Sequence, residues 1–384
     1  MRLVPLNRVS NGAELGRDVS SGRADGMPLL RRGTRLTPRF KKALVRAGVN
    51  AVYIEDELTQ GIEPEAALSP ETRAAAQAAV GRAFEGAQEA VSAGRGLSAD
   101  ALGELEWVAA RMATEIGQTS EFALALADLS AADSYTLQHS VDVAALGLLI
   151  GHRLFRERGY IDYRGRRSFD KVEARLTRLG LGLLLHDIGK MAVPSEILNK
   201  PGRLEPEEWA VMKTHPTAGV ELLRSDLISP LVKVVVRSHH ERWDGSGYPE
   251  GRAGNEIHEL ARIAAVADVY DAVTSERVYA AARPANVGVR IIREGAGTAF
   301  DAEIVDVFSH IVAPFPAGEE VDLTDGRTGV VAHVPEDAID RPVVRVLGDG
   351  EPYDLPLADH PQIRIVGWED MGEPASAARR RWAV

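Results

Sequence analysis

Leu183-Leu184-Leu185-His186-Asp187-Ile188-Gly189-Lys190 is the stretch on which the reading of the chain turns. A run of leucines carries an adjacent His-Asp pair into what should be the interior, and a glycine and a lysine follow at once. An imidazole and a carboxylate at the end of an apolar helix are costly to bury unless something pairs with them. A metal ion is the natural partner, because neutral imidazole and ionised carboxylate are both good ligands. Such a pair requires further ligands from elsewhere in the chain.

The chain supplies them. Five of its ten histidines, His139, His186, His215, His239 and His240, fall in four helical segments of the central region, joined by Asp187 and Asp268. Seven ligands are too many for one tetrahedral zinc but suit two octahedral ions sharing a carboxylate. Neighbouring helical residues point ~100° apart. His186-Asp187 and His239-His240 can therefore each spread ligands across a pair of ions. Two ions ~3.5–4 Å apart activate water and neutralise phosphate oxygens, so the natural reaction is hydrolysis of a phosphodiester. Lys190, one turn from His186, is placed to hold a phosphate oxygen or the attacking water. Asp271, one turn from Asp268 on the same face, is placed to orient ligands or water. His152, His258, His310, His333 and His360 read as ordinary core or surface histidines.

Around this centre the pattern is mainly helical. Residues 1–57 mix short strands, at Leu29-Leu30 and Ala51–Ile54, with Gly-rich turns and an amphipathic helix over Pro38–Ala47, which predicts a small α+β accessory domain. Residues 58–70 read as a linker. From 71 to 313 helical periodicity dominates, with helices expected at about 71–93, 98–117 and 119–131 and a core from about 130. The alanine-rich first helix suits either a dimerising or signalling helix or an ordinary bundle helix. Within the core, Glu157–Lys171 reads as a loop, Val172–His186 as a buried helix, Pro206 as the start of a helix running through Trp209, Met212 and His215, and Pro230 as the start of another. Residues 314–371 alternate in short stretches with Asp325-Gly326 and Gly348–Gly350 turns, a small β accessory domain. The tail 372–384 is expected to be disordered.

Composition limits the partners. Lysine and arginine number 45 against 56 acidic residues, a net charge of −11, which argues against a nucleic-acid polymer or an anionic membrane as partner. Cysteine is absent, so any metal must be held by His and carboxylates. No apolar run approaches the ~20 residues that span a bilayer and the N-terminus lacks a signal-peptide pattern, so a cytoplasmic location is expected.

The residues also resemble a known family. His186-Asp187-Ile-Gly-Lys190, Ile197–Gly202, Lys213-Thr-His215-Pro216, His239–Pro249, Tyr135–Ser140 and Ala265–Ser275 are similar, in order and spacing, to the motifs of the HD-GYP family. The resemblance covers about 130–313 and implies an all-helical HD-domain bundle that hydrolyses cyclic di-GMP to pGpG or GMP. It implies a pair of iron or manganese ions. By similarity, His139, His186, Asp187 and Asp268 would hold one ion, and Asp187, His215, His239 and His240 the other, with Asp187 bridging. Family members with a third metal carry Glu where this chain has Tyr135, which implies two metals here. Arg277 matches a family position that contacts substrate phosphate, whereas Ala280 stands where a basic residue is usual. Tyr248, in the Gly245–Pro249 loop, is open to three roles: stacking on guanine, shaping the pocket mouth or contacting a partner. In the family this loop is linked with diguanylate cyclase domains. A homodimer is a further expectation. Two alternatives stand beside the main one: a cyclic di-GMP sensor or interaction scaffold with little turnover, and a phosphodiesterase for another cyclic dinucleotide such as cyclic GMP-AMP.

Overall fold

The computed structural model describes residues 1–19, 27–49, 51–64, 66–118, 135–225, 228–275, 283–347 and 351–368. The expected helix at 119–131, the tail from 372, Arg277 and Ala280 lie outside the described residues.

The first strands, β1 (Arg2–Pro5), β2 (Glu14–Leu15) and β3 (Ala51–Glu55), form an antiparallel sheet in the order β1-β3-β2, with Val4 opposite Val52. Helix α1 (Pro38–Arg46) starts where Thr37 accepts the Phe40 N–H and Pro38 presets the first turn. Leu15, Leu36, Leu44, Val52 and Ile54 close a small core between them. Leu30 meets Val19 only in an isolated bridge. The segment expected as a linker is packed along part of its length: Ile62, Ala67 and Leu68 are buried.

Helices α2 (Pro70–Ser92) and α3 (Ala99–Ile116) begin at Ser69 and Ser98, each accepting a backbone N–H of its first turn. The small buried face of α2 (Ala76, Ala79, Ala83, Ala87) packs within this chain, against α3 and the helical core, so α2 is a bundle helix.

The core itself is α4 (Tyr135–Arg158), α5 (Val172–Leu184), α9 (Pro230–Ser238), α10 (Glu259–Thr274), α11 (Ala285–Glu294) and α12 (Ala302–Ser309), with short α6 (Ser195–Leu198), α7 (Pro206–Met212) and α8 (His215–Leu222) on one side. Close backbone approach sets the geometry of its centre. A Cβ on Gly147 would stand 2.5 Å from Leu183 Cδ1, so α4 and α5 approach closely at this glycine. A Cβ on Gly189 would stand 1.9 Å from the His215 carbonyl oxygen, so the turn after His186-Asp187 lies directly on α8.

Two expectations change in detail. Segment 157–171 is not all loop: β4 (Tyr160–Ile161) and β5 (Arg167–Ser168) pair in a short hairpin. The helix expected from Pro206 through His215 is broken into α7 and α8. Pro216 has no N–H to offer the Met212 carbonyl four residues back, so the ladder cannot continue.

After the core, β6 (Glu320–Asp322), β7 (Thr328–His333), β8 (Val343–Leu347) and β9 (Tyr353–Pro356) form an antiparallel meander in chain order. Phe315, Val331, Val344 and Leu355 lie in its core. The protein is therefore mainly α, with small antiparallel sheets toward both ends. Among the described residues, no helix is long and apolar enough to cross a membrane.

Candidate metal centre

The ligand histidines use a property of helix ends. The last carbonyls of a helix have no intrahelical donor. His186 lies just past α5, and its Nδ1 is 2.7 Å from the Leu183 carbonyl oxygen. His215 Nδ1 is 2.8 Å from the Met212 carbonyl that Pro216 leaves open. His239, at the end of α9, has Nδ1 2.9 Å from the Val236 carbonyl. A carbonyl can only accept, so each Nδ1 carries the proton and each Nε2 presents a bare lone pair. His139, on α4, instead sets Nδ1 2.6 Å from an Asp271 oxygen.

The Nε2 atoms converge on Asp187. Its Oδ2 lies 3.6 Å from His139 Nε2 and 3.5 Å from His186 Nε2. Its Oδ1 lies 3.4 Å from His215 Nε2 and 4.0 Å from His239 Nε2. Asp268 Oδ1 is 3.2 Å from His139 Nε2, and its Oδ2 is 3.7 Å from His240 Nδ1. Two clusters with metal-binding geometry result, His139-His186-Asp187 and Asp187-His215-His239-His240, and Asp187 belongs to both. Donors side by side on an octahedral ion with ~2.1 Å bonds stand ~3 Å apart, so modest contraction would seat an ion in each cluster. The Nε2 atoms of His139 and His186 stand 3.2 Å apart, and the bare Nε2 atoms of His215 and His239 face each other at 3.3 Å. Asp187 Oδ1 is fully buried and has no hydrogen-bond partner. Facing lone pairs and an orphaned carboxylate oxygen are what a pair of cations would satisfy.

The electrostatics agree with that chemistry. Burial pushes the imidazoles of His186 and His239 down, His215 to about 4 and His240 to about 3, so all four are neutral at pH 7. Burial works against ionisation of Asp187, but Lys190 and the surrounding imidazoles hold its carboxyl well below the usual range. Asp268 is likewise held low against its burial by the hydrogen bond from His139. His139 is the exception: although burial opposes its charge, Asp268 and Asp271 hold it up, to about 9.

These shifts predict the pH profile of the metal-free fold. Below ~6.5, the unfolded value, His215 and His240 take up protons in the unfolded chain but not in the native one. Stability therefore falls as pH drops from ~6.5 toward 4. His139 does the reverse, and its contribution is lost as pH rises from ~6.5 through 9. Denaturant midpoints in chelator should peak near pH ~6.5. A flat profile from pH 5 to 9 would contradict these assignments.

Lys190 Nζ lies 2.6 Å from Asp187 Oδ2, at the open side of the centre. Tyr248 stacks on His240 with ring centroids 4.6 Å apart and presents an edge to Trp209 at 6.1 Å. Its hydroxyl is pushed above its ordinary value by burial and by Asp268 and Asp187, which puts the phenol within the field of the site. Asp271 contacts the centre through His139. Removing such an outer partner costs ~10–100-fold in metal affinity. Asp271→Ala is expected to weaken metal binding by about that factor in a competitive chelator titration. Unchanged affinity would show that the contact is idle.

Seven of the ligand and outer-partner positions read from the sequence thus come together with Lys190 and Tyr248: His139, His186, Asp187, His215, His239, His240 and Asp268, with Asp271 behind. The sequence reading overlooked Glu241, which is buried beside the His pair and accepts the backbone N–H groups of Glu250 and Arg252. It also overlooked Trp209. Glu241 lay inside the His239–Pro249 motif, whereas Trp209 lay outside the motifs on the helix that starts at Pro206.

Residues 156–304 match the family described as HD domain, an interval that contains the ligands from His186 to Asp268 and leaves His139 just outside. A cyclic di-GMP phosphodiesterase of Pseudomonas aeruginosa is 41% identical over 209 residues, 54% of this chain and 47% of that protein. A cyclic di-GMP phosphodiesterase of Thermotoga maritima is 39% identical over 161 residues, 41% of this chain and 43% of that protein. A 3'3'-cGAMP-specific phosphodiesterase of Vibrio cholerae is 46% identical over 97 residues, 25% of this chain and 19% of that protein. The chain spans less than half the length of each of these relatives.

Proposed function

We propose that this chain, which carries an HD domain, is a metal-dependent phosphodiesterase that opens a cyclic dinucleotide, cyclic di-GMP before others, to pGpG and/or GMP. The observation that carries the reading is Asp187, which faces one histidine cluster with each oxygen and has one of them buried without a partner. Five imidazoles and two carboxylates, with no thiolate, are a donor set suited to two ferrous or manganous ions. Bound there, two such ions would supply an activated water at neutral pH and neutralise phosphate oxygens.

The chain's own residues do the rest. The carbonyl-anchored histidines hold their Nε2 atoms fixed, so little reorganisation is needed. Asp271 keeps the His139 proton on Nδ1, facing away from the centre. Lys190 is tied to Asp187. Once that carboxylate is engaged elsewhere, Nζ is free to hold a non-bridging oxygen of the scissile phosphate. Water adds to phosphorus, the bond to the 3′-oxygen breaks, and that oxygen leaves as a hydroxyl. Tyr248 and Trp209 form an aromatic wall beside the centre, suited to a nucleotide.

The similarity to a cGAMP-specific enzyme favours one second reading, in which the preferred substrate is 3'3'-cGAMP. The metal centre handles phosphate and does not read the base. Comparing kcat/KM for the two cyclic dinucleotides on one metallated sample separates the readings. A higher value for cyclic di-GMP supports the first, and a higher value for 3'3'-cGAMP replaces it with the second.

A further inference from the structure

Glu241 follows the ligand pair His239-His240 directly, and it is only 2% exposed. Its Oε1 accepts the Glu250 N–H at 2.8 Å and its Oε2 the Arg252 N–H at 3.1 Å. These two donors belong to the loop that carries Tyr248. The start of that loop is pressed onto the same backbone: a Cβ on Gly247 would stand 2.5 Å from Glu241 Cα, and the Tyr248 N–H donates to the His240 carbonyl at 3.2 Å. The loop is thus folded back over the residues that follow the ligands, with Glu241 beneath it. The Tyr248 ring lies against His240 as a result. Outside, Glu250 pairs with Arg237 and Arg252, but these side chains are 26–48% exposed and their ties are open to solvent and screening.

We propose that Glu241 is a positioning residue: its buried carboxylate clamps the 248–252 loop so that Tyr248 stands as a fixed wall of the metal pocket, and this wall sets how tightly the nucleotide part of the substrate is held. The inference rests on the phosphodiesterase reading for its effect on turnover, while the clamp itself does not. Glutamate suits the task for a simple reason. Two parallel acceptors meet two backbone donors, and each such bond to a carboxylate is stronger than its neutral counterpart. Glutamine keeps one acceptor and turns an NH2 toward the second N–H. Alanine keeps neither and leaves both N–H groups without the carboxylate that held them.

The test uses the full chain loaded with manganese, as wild type, Glu241→Gln and Glu241→Ala. Metal content and melting curves are recorded first. Hydrogen exchange at the Glu250 and Arg252 amides reads the clamp directly. Both amides should exchange at least ~10-fold faster in Glu241→Ala, with Glu241→Gln between. Kinetics are then compared for cyclic di-GMP and for bis(p-nitrophenyl) phosphate, a small diester with no nucleoside to rest on the wall. A wall misplaced by ~1 Å costs ~100-fold, so the ratio of the two kcat/KM values should fall by up to that factor, mostly through KM for the dinucleotide. Metal content should match wild type. Unchanged protection at the two amides overturns the clamp. An equal loss on both substrates, together with lost metal, overturns the positioning role, because Glu241 would then merely support the ligands. If the wild type cleaves no cyclic dinucleotide, the phosphodiesterase reading fails separately, and the exchange data still decide whether Glu241 holds the loop.

Discussion

Asp187→Ala is expected to abolish turnover, by ~10⁴-fold or more, and to empty both halves of the metal centre. The magnitude follows from what is removed. Each oxygen of this one carboxylate faces a different histidine cluster, so its loss takes a ligand from both positions. Ions of this kind stabilise the charged transition state by several kcal/mol and lower the pKa of the attacking water, and ~1.4 kcal/mol is a factor of ten. The fold should survive. The substitution removes a buried oxygen that lacks a partner in the metal-free protein. Lys190, left without its carboxylate, is 28% exposed and can turn to water. The double variant His186→Ala with Asp187→Ala should behave alike. Metal analysis and circular dichroism on the same preparation check this. A variant that retains two ions and full activity would remove Asp187 from the centre.

The second large effect is expected at Lys190. Lys190→Met keeps the length of the side chain and deletes its charge. If the ammonium holds a phosphate oxygen as charge develops, its loss costs ~10²–10³ in kcat. The metal should stay, because no ligand atom is altered. KM should change less than kcat if the interaction is strongest in the transition state. Lost metal with unchanged turnover per bound ion would instead make Lys190 a support for Asp187, with which it pairs at 2.6 Å.

Much of this centre was legible because its chemistry is local in sequence. His186-Asp187 and His239-His240 are adjacent pairs, and Pro206 and Pro230 mark helix starts that deliver ligands nearby. The α-helical core and the small sheets toward the ends follow from the change between 3.6-residue and two-residue periodicity. What was not legible depends on backbone groups meeting at a distance. The break before His215 arises from a single missing N–H at Pro216, which the helical pattern of apolar residues does not register. The 160–168 hairpin has strands of two residues each, too short for any alternation to appear. The Glu241 carboxylate bonds to backbone N–H groups nine and eleven residues on, and such partners leave no mark on residue type. Asp271 lay in between: its spacing from Asp268 put it on the right face, but only the structure pairs it with His139, 132 positions earlier.

The central claim is that Asp187 joins two histidine clusters into one dinuclear phosphodiesterase centre. It is tested most directly by loading the protein anaerobically with ferrous or manganous ion, counting bound metal, and chromatographing the products after incubation with cyclic di-GMP. Two ions per chain and metal-dependent appearance of pGpG or GMP, abolished by chelation, is the predicted result. A protein that holds two ions, binds cyclic di-GMP and leaves it intact would contradict the claim and make the chain a sensor of that ligand.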